Sequence, residues 1–208
     1  MIGIIDYGLG NLSSVLNAFK RINDKEDEVE VFSNSEEIKN YSKIILPGVG
    51  SFKAGMDLLN NRNWVPEIKN YVETGKPLLG ICLGMQLLFS KSEEEGLSNG
   101  LNLISGTVNK MKIDKNLKLP HVGWNNLINK KKHPLLENIK EEIDFYFVHS
   151  YTCVPDKIED IKAEFFYGKN YTACVGKENI FGTQFHPEKS MPSGMMLLKN
   201  FIDWKTQC

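Results

Sequence analysis

A cysteine between two glycines is the first candidate for chemistry in this sequence. Cys82 lies in the stretch Gly-Ile-Cys-Leu-Gly at positions 80–84, after a short apolar run at 76–81 and before a run of helical apolar spacing at 83–90. These features are typical of a nucleophile elbow, a tight strand-to-helix turn that presents a nucleophile at the end of a strand. The N-terminus of the following helix would favour the thiolate. The alternative is that Cys82 is simply a small buried residue, as most free cysteines are.

A histidine followed two residues later by a carboxylate is the candidate base. In the stretch His-Pro-Glu at 186–188, an extended backbone would place both side chains on one face, so that Glu188 orients the imidazole of His186. Such a tripeptide alone is more often a surface turn, but together with Cys82 it indicates acyl transfer through a thioester. The remaining histidines have no carboxylate at comparable spacing, and the lysine run 130–132 beside one of them is predicted to be solvated. These histidines are His121, His133 and His149.

A glycine-containing loop is the candidate site for a developing negative charge. The stretch Pro-Gly-Val-Gly at 47–50 follows a predicted strand at 43–46 and precedes a predicted helix that begins near Phe52. Glycines at the end of a strand allow backbone N–H groups to converge on an anion. A phosphate cradle is one interpretation, but the Lys-Ser/Thr of a P-loop is missing. An oxyanion hole fits better, with one N–H from this loop and one from Leu83.

The order of the predicted elements indicates an α/β fold. Strands and helices alternate over the first half, which is typical of a doubly wound, parallel sheet with its site at the carboxyl ends of the strands. The second half is richer in strands, and charged loops are predicted at 23–27 and 92–95. The predicted strands span 1–6, 28–32, 43–46, 76–81, 103–112, 124–129, 144–152, 161–167, 172–176 and 180–185, and the predicted helices span 12–22, 53–60, 65–73, 83–90 and 194–204.

Length and composition limit the classes of function. The chain has 208 residues, which suits a single domain over 1–208 with a sizeable core. Its net charge of −1 gives no reason to expect nucleic acid or a membrane surface as a partner. No apolar run approaches the length of a membrane span, and no basic segment precedes the apolar start, which suggests the cytoplasm. The four cysteines show no C-x-x-C spacing, so neither a metal site nor disulfides are expected.

Three motifs together resemble those of the class I, or triad, glutamine amidotransferases. They are Gly-Ile-Cys-Leu-Gly-Met-Gln at 80–86, Pro-Gly-Val-Gly-Ser-Phe at 47–52 and Gln-Phe-His-Pro-Glu-Lys-Ser at 184–190. Further stretches at 4–12, 120–125 and 146–151 resemble the glutaminase subunits of imidazole glycerol phosphate synthases, and the match runs essentially end to end. The resemblance implies a flavodoxin-like, open, twisted and mainly parallel sheet with flanking helices and a strand-rich C-terminal half.

The resemblance also implies roles for individual residues in the hydrolysis of glutamine, which needs no metal and no organic cofactor. Cys82 would be the nucleophile, His186 the acid and base, and Glu188 the group that orients the histidine. The oxyanion N–H groups would come from two residues, and three others would hold the amino-acid end of glutamine. In that order, these residues are Gly50 and Leu83, then Gln86, Ser150 and Tyr151.

The family works with a partner, so the resemblance implies one here. The chain carries no region for an ammonia acceptor, and the implied partner is a (β/α)₈-barrel cyclase in a heterodimer. Ammonia would pass to a phosphoribulosyl-formimino-carboxamide ribonucleotide of histidine synthesis, giving imidazole glycerol phosphate and an aminoimidazole carboxamide ribonucleotide. The implied contact face for the cyclase contains Asn11, Val122, Trp124, Tyr146 and Lys189.

Two alternatives remain at this stage. A paralogous glutaminase would feed ammonia to a sugar-modifying amidotransferase that makes acetamidino sugars, and the departures from the family pattern at Val122 and 190–193 leave room for it. A catalytically silent regulatory subunit is the other alternative, although the intact Cys82, His186 and Glu188 argue against it. A cysteine peptidase fits less well, because Gln86 and the stretch 148–151 suit a small amino-acid site.

Overall fold

The computed structural model describes residues 1–22, 29–140 and 142–206. It contains a large sheet, two smaller sheets and five α-helices within these residues. The helices are α1 (Leu12–Ile22), α2 (Phe52–Asn61), α3 (Trp64–Glu73), α4 (Leu83–Leu87) and α5 (Ser193–Asp203). The strands are β1 (Ile2–Ile5), β2 (Val29–Phe32), β3 (Lys43–Gly48), β4 (Leu78–Cys82), β5 (Phe89–Ser92), β6 (Ser98–Asn99), β7 (Ile104–Lys110), β8 (His121–Asn126), β9 (Asp144–His149), β10 (Tyr151–Pro155), β11 (Ile161–Phe166), β12 (Asn170–Lys177) and β13 (Ile180–Thr183).

The large sheet has the strand order β11-β12-β13-β4-β3-β1-β2. Strands β13, β4, β3, β1 and β2 pair in parallel, whereas β11 and β12 join by antiparallel pairing. The predicted class, an α/β fold with a mainly parallel open sheet and flanking helices, is therefore confirmed. The predicted hairpin over 172–176 and 180–185 is also present, as the antiparallel pair β12 and β13.

Both faces of the central strands are buried, which explains their continuous apolar runs. Alternate residues of β1, β3 and β4 contribute to two hydrophobic clusters on opposite sides of the sheet. On one side Ile4 and Ile45 join side chains of α1 and α5, and on the other Ile44 and Leu46 join side chains of α2 and α3. The sheet is thus held between two layers of helices, and its carboxyl edge is fixed from both sides.

The second half differs from the prediction in where its strands break. The predicted strand 144–152 is two strands that separate at Ser150, because β9 pairs with β8 while β10 pairs with β7 in another sheet. The predicted strand 124–129 lies earlier, at His121–Asn126. The predicted loop 23–27, and the first residue of the predicted strand 28–32, lie outside the described residues.

The predicted helix 83–90 is wrong in its length. Helix α4 ends at Leu87, and Phe89 begins strand β5, which pairs with β7. The residues at this boundary, Leu87, Leu88 and Phe89, are all completely buried. An apolar run that is buried on every side fits a helix and a strand equally well, so its pattern does not distinguish them.

The lysine run 130–132 is largely solvated, since Lys131 and Lys132 are exposed and Lys130 is half-buried, but the histidine beside it is packed against other side chains. His133 next to it is half-buried, with its ring 4.5 Å from that of Phe181 and 5.4 Å from that of Trp204. Its Nδ1 accepts a hydrogen bond from the backbone N–H of Leu135. Burial lowers the pKa of His133 to about 4, so this histidine is neutral and structural at neutral pH.

The turn from β4 to α4 is tight. Cys82 adopts φ 54° and ψ −108°, a backbone conformation that residues other than glycine rarely adopt. Helix α4 lies so close to β3 that a Cβ atom on Gly84 would collide with the carbonyl oxygen of Leu46. The second glycine of the motif is therefore required by packing, and the turn directs Cys82 to the carboxyl edge of the sheet.

In the parts of the chain that are described, no helix is long and apolar enough to cross a bilayer.

We expect Gly84→Ala to destabilise the protein by about 3 kcal/mol, because the added methyl group must push α4 away from β3. Gly75→Ala is the matched control, since Gly75 has a positive φ of 79° but open space around its Cβ position. The control should cost only about 1 kcal/mol, from the backbone conformation alone. Urea unfolding followed by circular dichroism measures both. Equal stability of the two variants would contradict the packing argument.

Candidate active site

Cys82 opens into a cavity of about 350 Å³ at the carboxyl edge of the sheet. Cys82 is only 7% exposed, so its sulfur is reached through this cavity and not from the open surface. The cavity brings together every predicted nucleophile, base, oxyanion and substrate residue, and Glu188 lies behind the base. The predicted residues that line it are Gly50, Cys82, Leu83, Gln86, Ser150, Tyr151 and His186.

His186 and Glu188 form a buried pair. The Nδ1 atom of the imidazole lies 2.8 Å from Oε1 of the carboxylate, and both side chains are almost fully buried. The predicted proximity is present, but its predicted cause is wrong. The segment Pro187–Lys189 is a turn of 3-10 helix with His186 as its N-cap, and not an extended strand. The tight turn folds Glu188 back onto the imidazole, which a proline at its first position favours.

The backbone of His186 is fixed by neighbouring strands. Its N–H donates to the carbonyl oxygen of Tyr146 at 3.0 Å, and its carbonyl oxygen accepts from the hydroxyl of Ser190 at 2.6 Å. Ser190 Oγ also accepts the N–H of Tyr146 at 2.8 Å. The base is therefore attached to strand β9, which pairs along its length with β8.

The electrostatics of the site favour a charged imidazole. Burial lowers the pKa of His186, but hydrogen bonding and charge interactions with Cys82 and Glu188 outweigh it and raise the pKa to about 10. Among the described residues, Nε2 of His186 has no oxygen or nitrogen partner, which leaves it available to the sulfur and to a ligand. An imidazolium beside a cysteine is the arrangement that activates a thiol nucleophile.

Strand β3 extends to Gly48 instead of ending at 46, so the first half of the predicted loop 47–50 belongs to the strand. Gly48 pairs with Cys82 across the two strands, and Gly50 has a φ of 106° with open space around its Cβ position. The N-terminus of α2 is already capped: Phe52 N–H donates to Glu94 Oε2 at 2.7 Å, and Ala54 N–H to Ser51 Oγ at 3.4 Å. Two of its donors are thus occupied, which argues against the phosphate-cradle interpretation.

Glu94 is a site residue that the sequence reasoning missed. It lies in the predicted charged loop 92–95, yet its carboxylate lines the cavity and accepts the N–H of Phe52. Burial raises the pKa of Glu94, although the hydrogen bond from Phe52 opposes the change. One acidic residue in an acidic loop has no sequence signal that separates it from its neighbours. Its position in the cavity follows from the way the loop folds over the start of α2.

Gln86 is almost fully buried beside the cavity. Its Nε2 donates to the carbonyl oxygen of Tyr151 at 3.3 Å and to Oε1 of Gln184 at 3.1 Å. The same carbonyl oxygen accepts from Nδ1 of His149 at 2.8 Å. Burial lowers the pKa of His149 to about 3, so its ring is neutral and acts as a fixed donor. His149 and Gln86 together hold the segment that carries Ser150 and Tyr151.

The predicted contact face forms one exposed surface for four of its five residues. Trp124 and Tyr146 are cross-strand partners of β8 and β9 with ring centroids 5.7 Å apart, and Lys189 Nζ lies 5.8 Å from the Tyr146 ring centroid. Val122 and Trp124 are 56% and 55% exposed. The fifth residue, Asn11, is exposed at the start of α1, where its Oδ1 accepts from Ser14 N–H.

No group of three or more His, Cys, Asp or Glu side chains within residues 1–22, 29–140 and 142–206 is arranged to hold a metal ion. Cys153 and Cys174 are buried free thiols, as is Cys82. Burial raises the pKa of both Cys153 and Cys174, so these two cysteines are unreactive at neutral pH.

Comparisons with known proteins agree with this geometry. The family model described as glutamine amidotransferase class-I matches residues 3–204. An imidazole glycerol phosphate synthase subunit HisH from Sulfurimonas denitrificans is 45% identical over 208 residues, which covers 99% of this chain and 99% of that one. A protein with the same description from Geobacillus sp. is 49% identical over 205 residues and covers 97% of this chain and 95% of its own.

Solved structures share the fold at lower sequence identity. The structure of PurLQS from Thermotoga maritima superposes with a TM-score of 0.74 at 20% identity, covering 97% of both chains. The glutaminase domain of Trypanosoma brucei CTPS with bound acivicin superposes with a TM-score of 0.64 at 18% identity, covering 99% of this chain and 95% of that one. At such identities the likeness supports the fold alone.

We expect the imidazole of His186 to be protonated at pH 7, while the ring of His149 is neutral. Glu188→Gln should lower the pKa of His186, because the stabilising carboxylate charge is lost. Titration of the ring nitrogens by ¹⁵N NMR measures this, with His149 as the internal control. A neutral His186 at pH 7 in the unmodified protein would contradict the expectation.

The raised pKa of His186 also makes the stability of the fold depend on pH. The pKa of His186 is raised from 6.5 to about 10, so the native state holds a proton that the unfolded chain releases between these values. The contribution of His186 to stability is fully present below pH 6.5 and is lost as the pH rises through about 10. Urea unfolding at a series of pH values should show this loss, and the loss should be smaller in Glu188→Gln. An equal loss in both proteins would count against the pairing.

Proposed function

Because this chain belongs to the class I glutamine amidotransferases, and within them to the HisH family, we propose that it is the glutaminase subunit of an imidazole glycerol phosphate synthase. It hydrolyses glutamine to glutamate and ammonia for histidine biosynthesis. The observation that carries the proposal is the strained Cys82 at the cavity, with His186 oriented by Glu188 at 2.8 Å. The single-domain organisation over 1–208 stays a prediction.

The first half of the reaction forms a thioester. The sulfur of Cys82 attacks the side-chain amide carbon of glutamine, so that a C–S bond forms and the carbonyl oxygen becomes an oxyanion. The C–N bond then breaks, and the imidazolium of His186 gives its Nε2 proton to the departing ammonia. The raised pKa of His186 supports this order, because the acid is already protonated when the substrate binds.

The second half regenerates the enzyme. The neutral imidazole takes a proton from water, whose oxygen attacks the thioester carbon. The C–S bond breaks, the new side-chain carboxyl group releases the remaining water proton to solvent as glutamate leaves, and the free sulfur of Cys82 and the imidazolium are restored. Glu188 keeps Nδ1 of the ring protonated throughout, so that Nε2 is the nitrogen that exchanges protons.

The oxyanion is stabilised by backbone donors in this proposal. Leu83 follows the nucleophile at the start of α4, Gly50 follows the end of strand β3, and both line the cavity. The loss of one such donor would cost about 3 kcal/mol of transition-state stabilisation. The positive φ of Gly50 and the open space around it allow the loop to aim an N–H inward.

The amino-acid end of glutamine lies between Gln86, Glu94 and the segment Ser150–Tyr151. Both hydrogens of Gln86 Nε2 are used by Tyr151 and Gln184, so its Oε1 is the atom left to accept from the substrate ammonium. The Glu94 carboxylate in the cavity adds a complementary negative charge. Ser150 and Tyr151 supply further polar groups to the lining of the cavity.

Ammonia is handed to a partner subunit, because in neutral water it would become ammonium and lose its nucleophilicity. The partner in this proposal is a (β/α)₈-barrel cyclase that binds the exposed face of β8 and β9 together with Lys189 and Asn11. The complex is a cytoplasmic heterodimer with an internal ammonia channel. The relatives at 45–49% identity favour this partner over a sugar-modifying amidotransferase. The assembled Cys82, His186 and Glu188 argue against a silent subunit.

Glutamate release should be slow for the chain alone and strongly stimulated by the cyclase from the same genome with its ribonucleotide substrate. Cys82→Ala should abolish the stimulated activity, because no thioester can form. A coupled glutamate dehydrogenase assay measures the rate. Rapid hydrolysis by Cys82→Ala would refute the thioester. Stimulation that ignores this cyclase would refute the histidine-pathway partner.

Trp124→Ala should weaken cyclase binding by at least about tenfold, because large exposed aromatic side chains dominate binding at such interfaces. Isothermal titration calorimetry measures the affinity. Ile158→Ala is the control, since Ile158 is 76% exposed but lies outside the predicted contact face. Unchanged binding by Trp124→Ala, or an equal loss in both variants, would contradict this face.

A further inference from the structure

Gln184 is a completely buried polar residue for which the reaction described so far has no use. It precedes Phe185 and His186, and its backbone N–H donates to the carbonyl oxygen of Ala173 at 2.8 Å. Its side chain reaches away from the backbone pairing toward the nucleophile, where Nε2 lies 3.9 Å from Cys82 Sγ. Its Oε1 accepts from Gln86 Nε2 at 3.1 Å. A buried amide costs free energy unless it is paired, so both contacts matter.

We infer that Gln184 belongs to the catalytic machinery: its amide donates a hydrogen bond to the nucleophilic sulfur and connects that sulfur to the substrate-binding Gln86. The inference rests on the proposed glutaminase function. It adds a side-chain donor to the sulfur, where the resemblance implies a base, its orienting carboxylate, backbone N–H groups for the oxyanion and residues that hold the amino-acid end of glutamine, but no side-chain donor.

The direction of these hydrogen bonds is fixed by the carbonyl oxygen of Tyr151. A carbonyl oxygen only accepts, so Gln86 must present its NH₂ group, Nε2, to Tyr151. The same NH₂ group faces Gln184, which must therefore present its oxygen. The other end of the Gln184 amide, its NH₂ group, then faces Cys82. A reversed Gln184 would set two donors against each other and place an oxygen beside the sulfur.

A second set of contacts reinforces this direction. His149 donates its Nδ1 hydrogen to the same carbonyl oxygen at 2.8 Å, and its Nε2 lies 3.4 Å from His121 Nδ1. Both imidazoles are neutral at pH 7, because burial lowers their pKa values. The carbonyl of Tyr151 is thus held by two donors, and Gln86 has no freedom to turn its amide.

The chemical consequence concerns the charge on the sulfur. An N–H donor stabilises a thiolate more than a neutral thiol, because hydrogen bonds to charged groups are the stronger ones. The donor of Gln184 is fully buried and is held by Gln86 and by the backbone of Ala173, apart from the loop 47–50. It therefore acts on Cys82 before glutamine arrives, unlike an oxyanion donor, which acts only after attack.

The test measures the reactivity of Cys82 without glutamine and without a partner. Iodoacetamide alkylation at pH 7, resolved by peptide mass spectrometry, gives the rate for Cys82 alone, and the buried Cys153 and Cys174 serve as internal references. Gln184→Met keeps the length of the side chain but removes the donor. We expect alkylation of Cys82 to slow about tenfold.

Asn179→Ala is the matched control. Asn179 is also a buried amide, and its Nδ2 donates to the carbonyl oxygens of Val72 and Lys76 at the opposite end of β4. This variant should lose comparable stability in urea unfolding but leave the alkylation rate unchanged. Gln184→Leu provides a second test if Gln184→Met does not fold.

Two results would overturn the inference. One is a folded Gln184→Met, or Gln184→Leu, whose Cys82 reacts at the rate of the unmodified protein. The other is an Asn179→Ala variant that slows Cys82 equally, which would mean that lost stability and not the donor controls the rate. Failure of the proposed function appears separately, as an absence of glutaminase activity with the cyclase, and leaves the alkylation result intact.

Discussion

The close approach of α4 to β3 is the constraint on which the site depends. It exists because Gly84 presents no Cβ to the carbonyl oxygen of Leu46, and it forces Cys82 into a φ of 54°. A residue other than glycine in such a conformation costs about 1–3 kcal/mol, and the surrounding packing must supply that free energy. Here the two hydrophobic layers on either side of the sheet do so, because the strands that carry the turn are buried on both faces.

The nucleophile and the base could be predicted from sequence because their signals are local. A glycine on each side of Cys82 reports a steric requirement of the chain itself, and His186 and Glu188 are only two residues apart. The proximity of the pair was predicted for a wrong reason, since a 3-10 turn and not an extended strand brings them together. A spacing of two residues allows the contact in a 3-10 turn and in an extended strand, so the sequence indicates the contact but not the backbone conformation that makes it.

The positions of Glu94 and Gln184 in the site could not be predicted, because long-range folding brings them there. Glu94 reaches the cavity because its loop caps α2, and Gln184 reaches Cys82 from just after strand β13, 102 positions along the chain. The run that ends α4 and begins β5 is apolar throughout, so the spacing of its apolar residues does not show where the helix ends and the strand begins. The break at Ser150 depends on which sheet each half of the segment joins. The sequence of one strand does not identify the strand with which it pairs.

The hairpin of β8 and β9 has one exposed face and one buried face, and the two differ in what they must hold in place. The side chains of Val122 and Trp124 point outward, whereas His121 and His149 point inward, and the backbone of Tyr146 holds His186. Replacement of an outward side chain leaves the backbone in place, so this surface is free to diverge as a binding partner diverges. Insertion or deletion of one residue would exchange the two faces and release the base. The hairpin is therefore a segment that tolerates changes of residue but no change of length.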